Sequence, residues 1–338
     1  MKLGIVNDLP AAADALRRAI AMEPEHEVIW VAHDGAEAVA FCASRTPDVV
    51  LMEMGMPVMN GVEATRQIMA RTPCAILIVT ASVGANAAGV FEAMGHGALD
   101  AIDTPAFGAT DPRKSAAQLL SKIESIGKLI NCEKGRSAAA ARNTGIMPII
   151  RQNRLVAIGS SAGGPAALAK VLSGLPADFS AAIVIVQHVD ALFAHGMAEW
   201  LNQHSQLPVR VAQEGDRLES GCVFLAGTAD HLTLTSARRL AYTPEPSDYA
   251  YRPSVDVFFH SVCRHWQHEA VGVLLTGMGR DGALGLKALR DKGCHTIAQD
   301  QTSSAVYGMP KAAVTLNAAV DVLPLERIAT RLISIFDR

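Results

Sequence analysis

The chain has 338 residues, half of them hydrophobic and 19% charged, with a formal net charge of -3. That length suggests two domains, and that composition can bury real cores, which excludes a disordered chain. The lack of a basic footprint argues against a nucleic-acid partner, and no apolar run approaches the roughly 20 residues of a membrane helix. The N-terminus enters a strand at once with an acidic residue close behind, unlike a signal peptide, so a soluble, cytoplasmic protein without membrane insertion is expected. The six cysteines, Cys42, Cys74, Cys132, Cys222, Cys263 and Cys294, are scattered and form no Cys-x-x-Cys pair. They read as reduced thiols rather than a zinc knuckle or a disulfide framework.

In the first hundred residues short apolar runs alternate with helical patterns. Leu3-Gly4-Ile5-Val6, Val28-Ile29-Trp30-Val31, Val49-Val50-Leu51-Met52 and Ala75-Ile76-Leu77-Ile78-Val79 read as buried strands, with a weaker run at 99–102. Amphipathic stretches at 11–22, 36–44 and 62–71 lie between them. Five strand–helix units predict a flavodoxin-like (βα)5 domain of class α/β over residues 1–107. The composition changes near 108. Residues 108–150 read as a linker with one helix, predicted over 114–130, followed at 135–145 by Gly-Arg-Ser-Ala-Ala-Ala-Ala-Arg-Asn-Thr-Gly, which has no core-forming pattern.

A second α/β pattern occupies 151–338 and predicts a doubly wound parallel sheet. Leu155-Val156-Ala157-Ile158 is a strand entering a Gly/Ser turn, with a helix from Pro165. A strand over 182–186 ends in Gln187-His188. A third, over 271–275, ends in Thr276-Gly277-Met278-Gly279-Arg280-Asp281-Gly282, followed by a helix at 283–292 and a strand at 295–298.

The turn Gly159-Ser160-Ser161-Ala162-Gly163-Gly164 satisfies G-x-S-x-G with Ser161 at its centre. Its glycines permit a tight turn that lifts a serine above the sheet, and the following helix directs its free N–H groups at that point, where an oxyanion would form. The same pattern serves as an N-cap or a phosphate cradle. Ser160 competes for the nucleophile role, and the glycine spacing favours Ser161. His188 directly follows an apolar strand and Asp281 sits in a glycine-flanked loop after another, the ends where functional residues collect in open parallel sheets. Serine needs a base, histidine fits that role and a carboxylate can orient the imidazole. On position alone His188 is also a strand-end histidine capping a loop, and Asp281 a turn aspartate. The order Ser, His, Asp differs from the Ser, Asp, His of α/β-hydrolases. A nucleotide site would need G-x-G-x-x-G, which this turn does not match.

At these residues the sequence resembles the chemotaxis protein-glutamate methylesterase/glutaminase (CheB-like) family. The matching stretches are Ala157-Ile158-Gly159-Ser160-Ser161-Ala162-Gly163-Gly164, Gln187-His188, Arg252-Pro253-Ser254-Val255-Asp256, Leu275-Thr276-Gly277-Met278-Gly279-Arg280-Asp281-Gly282-Ala283, Thr296-Ile297-Ala298-Gln299-Asp300 and Val306-Tyr307-Gly308-Met309-Pro310. The resemblance implies a catalytic triad of Ser161, His188 and Asp281, with the Met278 N–H in the oxyanion hole. It implies hydrolysis of glutamate methyl esters, and deamidation of glutamine, on a methylated chemoreceptor-type protein, with no cofactor for catalysis. Ala162 stands where the family commonly has threonine, and Asp190 where proline is commoner. The rival of another class is a regulatory binding module of a two-component pathway whose chemistry has decayed; the intact triad speaks against it.

The first half resembles receiver domains of response regulators, whose partner is a sensor histidine kinase. Receivers hold Mg²⁺ with acidic residues at the ends of the first and third strands. Here the first-strand pair is Asn7-Asp8, the phosphoacceptor position in Leu51-Met52-Glu53-Met54-Gly55-Met56-Pro57 is Glu53, the switch position is Thr80 and the usual lysine is Thr104. Glutamate is one methylene longer than aspartate and holds a charge near the place of a phosphoryl oxygen, so inefficient phosphorylation of Glu53 is expected. Loss of the lysine removes a cation that reads the phosphoryl group. Asp8, Glu53 and the Gly55 carbonyl remain for weak Mg²⁺ binding. The Asn7-Asp8 start and the Asp103-Thr104-Pro105 end also resemble the Wsp-type (WspF-like) surface-sensing methylesterase.

Overall fold

The computed structural model describes residues 1–83, 86–105, 112–132, 154–247, 249 and 251–337, and it divides into two compact units, Met1–Ser137 and Ala138–Arg338. The first unit runs β1 (Lys2–Val6), α1 (Pro10–Ile20), β2 (Glu27–Ala32), α2 (Gly35–Ser44), β3 (Val49–Met52), α3 (Gly61–Arg71), β4 (Ala75–Thr80), α4 (Ala87–Gly95), β5 (Asp100–Asp103) and α5 (Pro112–Cys132). Its parallel sheet has the order β2-β1-β3-β4-β5, the flavodoxin-like arrangement predicted from the alternating runs. The winding order of the sheet reverses between the parallel neighbours β1 and β3, so the loops carrying Asp8 and Glu53 emerge side by side.

Helix starts follow local chemistry. Asp34 accepts the Ala36 and Glu37 N–H groups at the head of α2, and Asn60 accepts that of Glu63 at the head of α3. Helix α4, over a run of small and apolar residues with no capping side chain, is part of the expected five units but was given no range from the sequence. The helix expected inside the linker proves to be α5. It buries Ala116, Leu119, Ile123 and Ile126 with Leu3, Leu16 and Ile20, so it completes the core of the first unit rather than connecting two domains. The Gly/Ala-rich stretch at 135–145 lies outside the described residues.

The second unit runs β6 (Leu155–Ser160), α6 (Gly164–Ser173), β7 (Ala182–Gln187), α7 (Ala194–Gln203), β8 (Val209–Val211), β9 (Val223–Leu225), β10 (His231–Leu234), β11 (Leu240–Thr243), α8 (Val255–His265), β12 (Ala270–Leu274), α9 (Ala283–Asp291), β13 (His295–Gln299), α10 (Met309–Thr315), β14 (Asp321–Leu323) and α11 (Leu325–Phe336). Seven strands form one parallel sheet, ordered β14-β13-β12-β6-β7-β9-β8, and β10 and β11 pair as a separate antiparallel ribbon. Strands β6 and β7 are buried along their whole length, as helices on both faces of a parallel sheet require. The short strands β8 to β11 carry too little periodicity to be read from sequence.

Helix α8 lies against the carboxyl half of β6. A Cβ built at Gly159 would sit 2.2 Å from Val255 Cγ1 and 3.0 Å from Leu274 Cδ1. Only a glycine lets the first turn of α8 pack this close to the strand. Gly159→Ala is expected to lower unfolding stability by about 1–3 kcal/mol through overpacking, read as a shift of the urea midpoint.

Candidate functional site

Strands β12, β6 and β7 are neighbours at the centre of the larger sheet. Ser160 pairs with Gln187 in register, so Ser161 and His188 leave the sheet at adjacent positions. Gly159 pairs with Leu274 on the other side, and the chain after β12 turns through Gly277 to Asp281. These are carboxyl ends of strands beside the point where the chain winds off in both directions from β6, the usual crevice of an open α/β sheet.

The serine turn is braced from both sides. Gly163 adopts a left-handed φ of 73° that glycine takes without strain, and α6 begins at the next residue. The Ser161 carbonyl accepts the Gly164 N–H at 2.7 Å and Gln187 Nε2 at 2.9 Å, while the Ser161 N–H donates to Thr276 O at 3.0 Å. Ser160 is fully buried and donates its hydroxyl to Gln187 Oε1 at 2.6 Å. Ser161 is therefore the partly exposed hydroxyl of the pair. Thr276 donates its hydroxyl to the carbonyls of Ala162 and Val306, and its N–H donates to Gln299 Oε1 at 2.8 Å. A Cβ on Gly277 would lie 2.8 Å from Ser161 Cβ, so the backbone leading into Met278 presses directly on the serine.

His188 and Asp281 meet. Nε2 lies 2.8 Å from Asp281 Oδ2, and both side chains are more than nine-tenths buried. Asp281 also accepts Ser254 Oγ–H at 2.8 Å, the Val255 N–H at 2.7 Å and the Asp256 N–H at 3.1 Å, the first donors of α8. Burial opposes its ionisation, but the His188 bond and these N–H groups outweigh that, and its pKa falls below the ordinary carboxylate value. An ionised Asp281 accepts, so His188 Nε2 is the donor of this bond, and in the neutral imidazole Nδ1 is the nitrogen that holds the lone pair. Among the described residues Nδ1 is buried without a hydrogen-bond partner, and no Ser161–His188 bond is formed. Catalytic hydrogen bonds commonly close only when substrate is bound.

Several residues that build this arrangement were given no role from the sequence, although the stretch Arg252-Pro253-Ser254-Val255-Asp256 was among those that carry the resemblance. Ser254 caps α8 and binds Asp281 at once. Its N–H donates to Nδ1 of the buried His231, whose Nε2 is 3.0 Å from Pro246 O. Asp256, one residue into α8, accepts the Gly285 N–H at 2.7 Å and so caps α9 in return. A Ser-x-Asp pair ahead of an apolar helix was the available signal. Asp190 caps the short turn after His188 through the Leu192 N–H.

In the receiver-like unit Asn7 is buried, its Oδ1 accepts the Leu9 N–H, and its Nδ2 faces Glu53 Oε2 at 3.4 Å. Glu53 Oε1 accepts the Met54 N–H at 2.7 Å. The Thr80 hydroxyl accepts Asn86 Nδ2 at 3.0 Å, and Thr104 joins Thr80 only through its backbone N–H. A Mg²⁺ site needs several converging oxygen donors. Here Asn7 turns an amide N–H toward Glu53 and spends its oxygen locally, leaving the carboxylates of Asp8 and Glu53. Among the described residues no group of three or more His, Cys, Asp or Glu could hold a metal ion. With the Gly55 carbonyl, these two carboxylates are the oxygen donors left for a Mg²⁺.

The family model "CheB methylesterase" matches residues 156–332, and "Response regulator receiver domain" matches residues 3–107. The "Protein-glutamate methylesterase/protein-glutamine glutaminase 2" of Cupriavidus metallidurans is 60% identical over 333 residues, 98% of each chain. The chain belongs to the CheB methylesterase family. A "Protein-glutamate methylesterase/protein-glutamine glutaminase 1" of Pseudomonas fluorescens is likewise 60% identical, over the full length of both chains. The crystal structure of the Thermotoga maritima CheB methylesterase catalytic domain is similar to this CheB-family chain with a TM-score of 0.51 and 34% identity, covering 54% of this chain and 97% of that one. Both predicted fold classes therefore stand. No helix among the described residues is long and apolar enough to cross a membrane.

The carboxyl of Asp256 is driven by burial up to about 6, against the Gly285 N–H and with the charge of Asp281 adding to the rise. A group whose folded pKa lies above its unfolded one favours the fold while protonated, and that contribution is lost as pH rises from about 4 to about 6. Asp256→Asn, which keeps the acceptor oxygen, is expected to gain on the native protein across that window by on the order of 2 kcal/mol and to run parallel to it above. Urea unfolding at a series of pH values measures this.

Proposed function

We propose that this chain hydrolyses glutamate methyl esters, and deamidates glutamine, on a methylated chemoreceptor-type protein, using Ser161 as nucleophile, His188 as base and Asp281 as the carboxylate that orients it. The observation that carries the reading is the buried 2.8 Å His188–Asp281 contact, with Nδ1 unspent, beside the strand end that presents Ser161.

In this reading His188 Nδ1 is the base for Ser161 Oγ. Nδ1 takes the proton as Oγ attacks the γ-carbonyl carbon of the methylated glutamate. The carbonyl oxygen becomes an oxyanion, and the Met278 N–H, carried by the backbone that presses on Ser161, is the donor that stabilises it. The Ser161 N–H is already committed to Thr276 O and plays no part in this. Asp281 stabilises the imidazolium without itself taking the proton. Collapse expels methanol, which takes its proton from Nδ1, and water repeats the sequence to free glutamate. With glutamine the same steps release ammonia. Ala162 offers its carbonyl to Thr276, so the lost hydroxyl leaves the turn held by backbone.

The receiver unit is the regulatory half. A sensor histidine kinase is the class of partner that it would meet, but Asn7 and Glu53 leave little of the metal-assisted chemistry that phosphoryl transfer needs. The decayed-module alternative is disfavoured by the formed His188–Asp281 pair.

Ser161→Ala is expected to abolish methanol release from methylated receptor, and Asp281→Asn to lower kcat by roughly 10⁴-fold through loss of the required tautomer. Retained turnover in Ser161→Ala would remove the nucleophile assignment. Incubating the full-length protein with a small-molecule phosphodonor and Mg²⁺ is expected to leave Glu53 unmodified, by intact mass, and the esterase rate unchanged.

A further inference from the structure

One hydrogen bond does not fix the plane of an imidazole. With Nε2 on Asp281 the ring can still rock about that contact, and the direction of Nδ1 changes with it. The structure supplies a second restraint. The Tyr251 ring stacks on His188 with centroids 4.3 Å apart and planes only 7° from parallel. Its hydroxyl end reaches the loop on the other side of the site, since a Cβ at Gly279 would lie 3.8 Å from Tyr251 Oη. Tyr251 thus spans from the base to the residue after Met278.

The segment bearing Tyr251 also bears the donors to Asp281. Three residues on, Ser254 donates its hydroxyl to Asp281, followed by the N–H groups of Val255 and Asp256. Arg252 anchors the same segment by donating to Ser247 O at 2.6 Å. Residues 251–256 therefore grip both members of the pair, Asp281 by its oxygens and His188 by its face.

We propose that Tyr251 is a positioning residue for the esterase reaction: its stacked ring fixes the plane of His188, and with it the direction of Nδ1, and it shields the imidazole as positive charge develops there. This rests on the assignment of Ser161 and His188 made above. The flat π face does the work, because a flat partner restrains tilt and attracts a cation, whereas an aliphatic side chain of similar bulk does neither. The phenol hydroxyl is not needed for it.

The test uses the full-length protein and methanol release from methylated receptor membranes. Tyr251→Leu and Tyr251→Met are expected to lower kcat roughly 10- to 100-fold with KM within about twofold, the signature of a displaced catalytic group. Tyr251→Phe and Tyr251→Trp, which keep a flat ring, are expected to stay within about threefold of the native kcat. Labelling of Ser161 by a fluorophosphonate, which needs the activated serine but no receptor docking, is expected to slow in parallel in the Leu and Met variants. Native kcat in Leu and Met would overturn the proposal. So would a Phe variant as slow as Leu, or a raised KM at unchanged kcat, which would make Tyr251 a substrate contact instead. Ser161→Ala separates the two levels: an active Ser161→Ala enzyme refutes the nucleophile itself, whereas an inert one beside a fully active Tyr251→Leu refutes only the role of Tyr251.

Discussion

A carboxylate removed from water must be compensated by donors, or it takes up a proton and ceases to be a carboxylate. Asp281 meets that constraint with the hydroxyl of Ser254, two backbone N–H groups at the head of α8 and the Nε2–H of His188. The rest of the site follows from it. The positive end of α8 lies beside the loop after β12, and the imidazole turns Nε2 to the carboxylate, which leaves Nδ1 as its other ring nitrogen. The arrangement is reciprocal. Asp281, just ahead of α9, binds the start of α8, while Asp256, in the first turn of α8, binds the start of α9. Each helix thereby fixes the other, and the packing of Phe259 against Gly285 closes the pair. The cost is two carboxyl groups in one dry region, and it appears as the raised pKa of Asp256.

The serine side of the site depends on close backbone approach rather than on charge. Gly277 presses on Ser161, and Gly163 turns the chain into α6 with a positive φ. Gln187 and Gln299, buried at strand ends, convert polar side chains into fixed struts between loops that hydrogen bonds within the sheet cannot reach. These contacts hold the backbone of the serine turn from both sides.

The receiver unit keeps its fold while residues of its loops depart from the receiver pattern. Its five strands keep the flavodoxin-like order because that order is set by buried apolar residues, none of which take part in phosphoryl transfer. The residues that differ, Asn7, Glu53 and Thr104, sit where strands end, so they alter the chemistry of the loops and leave the core unaffected. Asn7 facing Glu53 puts a neutral amide where a receiver would place a second carboxylate beside its metal.

Much of this protein was legible in its sequence because the signals are local. Alternating apolar runs identified the strands of both sheets from β1 to β7 and at β12 and β13, and the glycine-flanked serine, the strand-end histidine and the Arg-Asp-Gly loop marked three sites of possible chemistry. Helix α5 was legible as a helix but not as part of the first unit, since its partners, Leu16 and Ile20 among them, lie a hundred residues earlier. Short strands such as β8 and β9 hold three residues each, too few to show a period. What only the tertiary structure decided is how the groups of the site meet: that His188 offers Nε2 to Asp281 and keeps Nδ1 free, that Ser160 is turned inward, and that Ser254, Asp256 and Tyr251 surround the pair. Residue type and spacing specify which groups are present, whereas hydrogen-bond direction and ring stacking depend on orientation, which exists only once distant segments have packed.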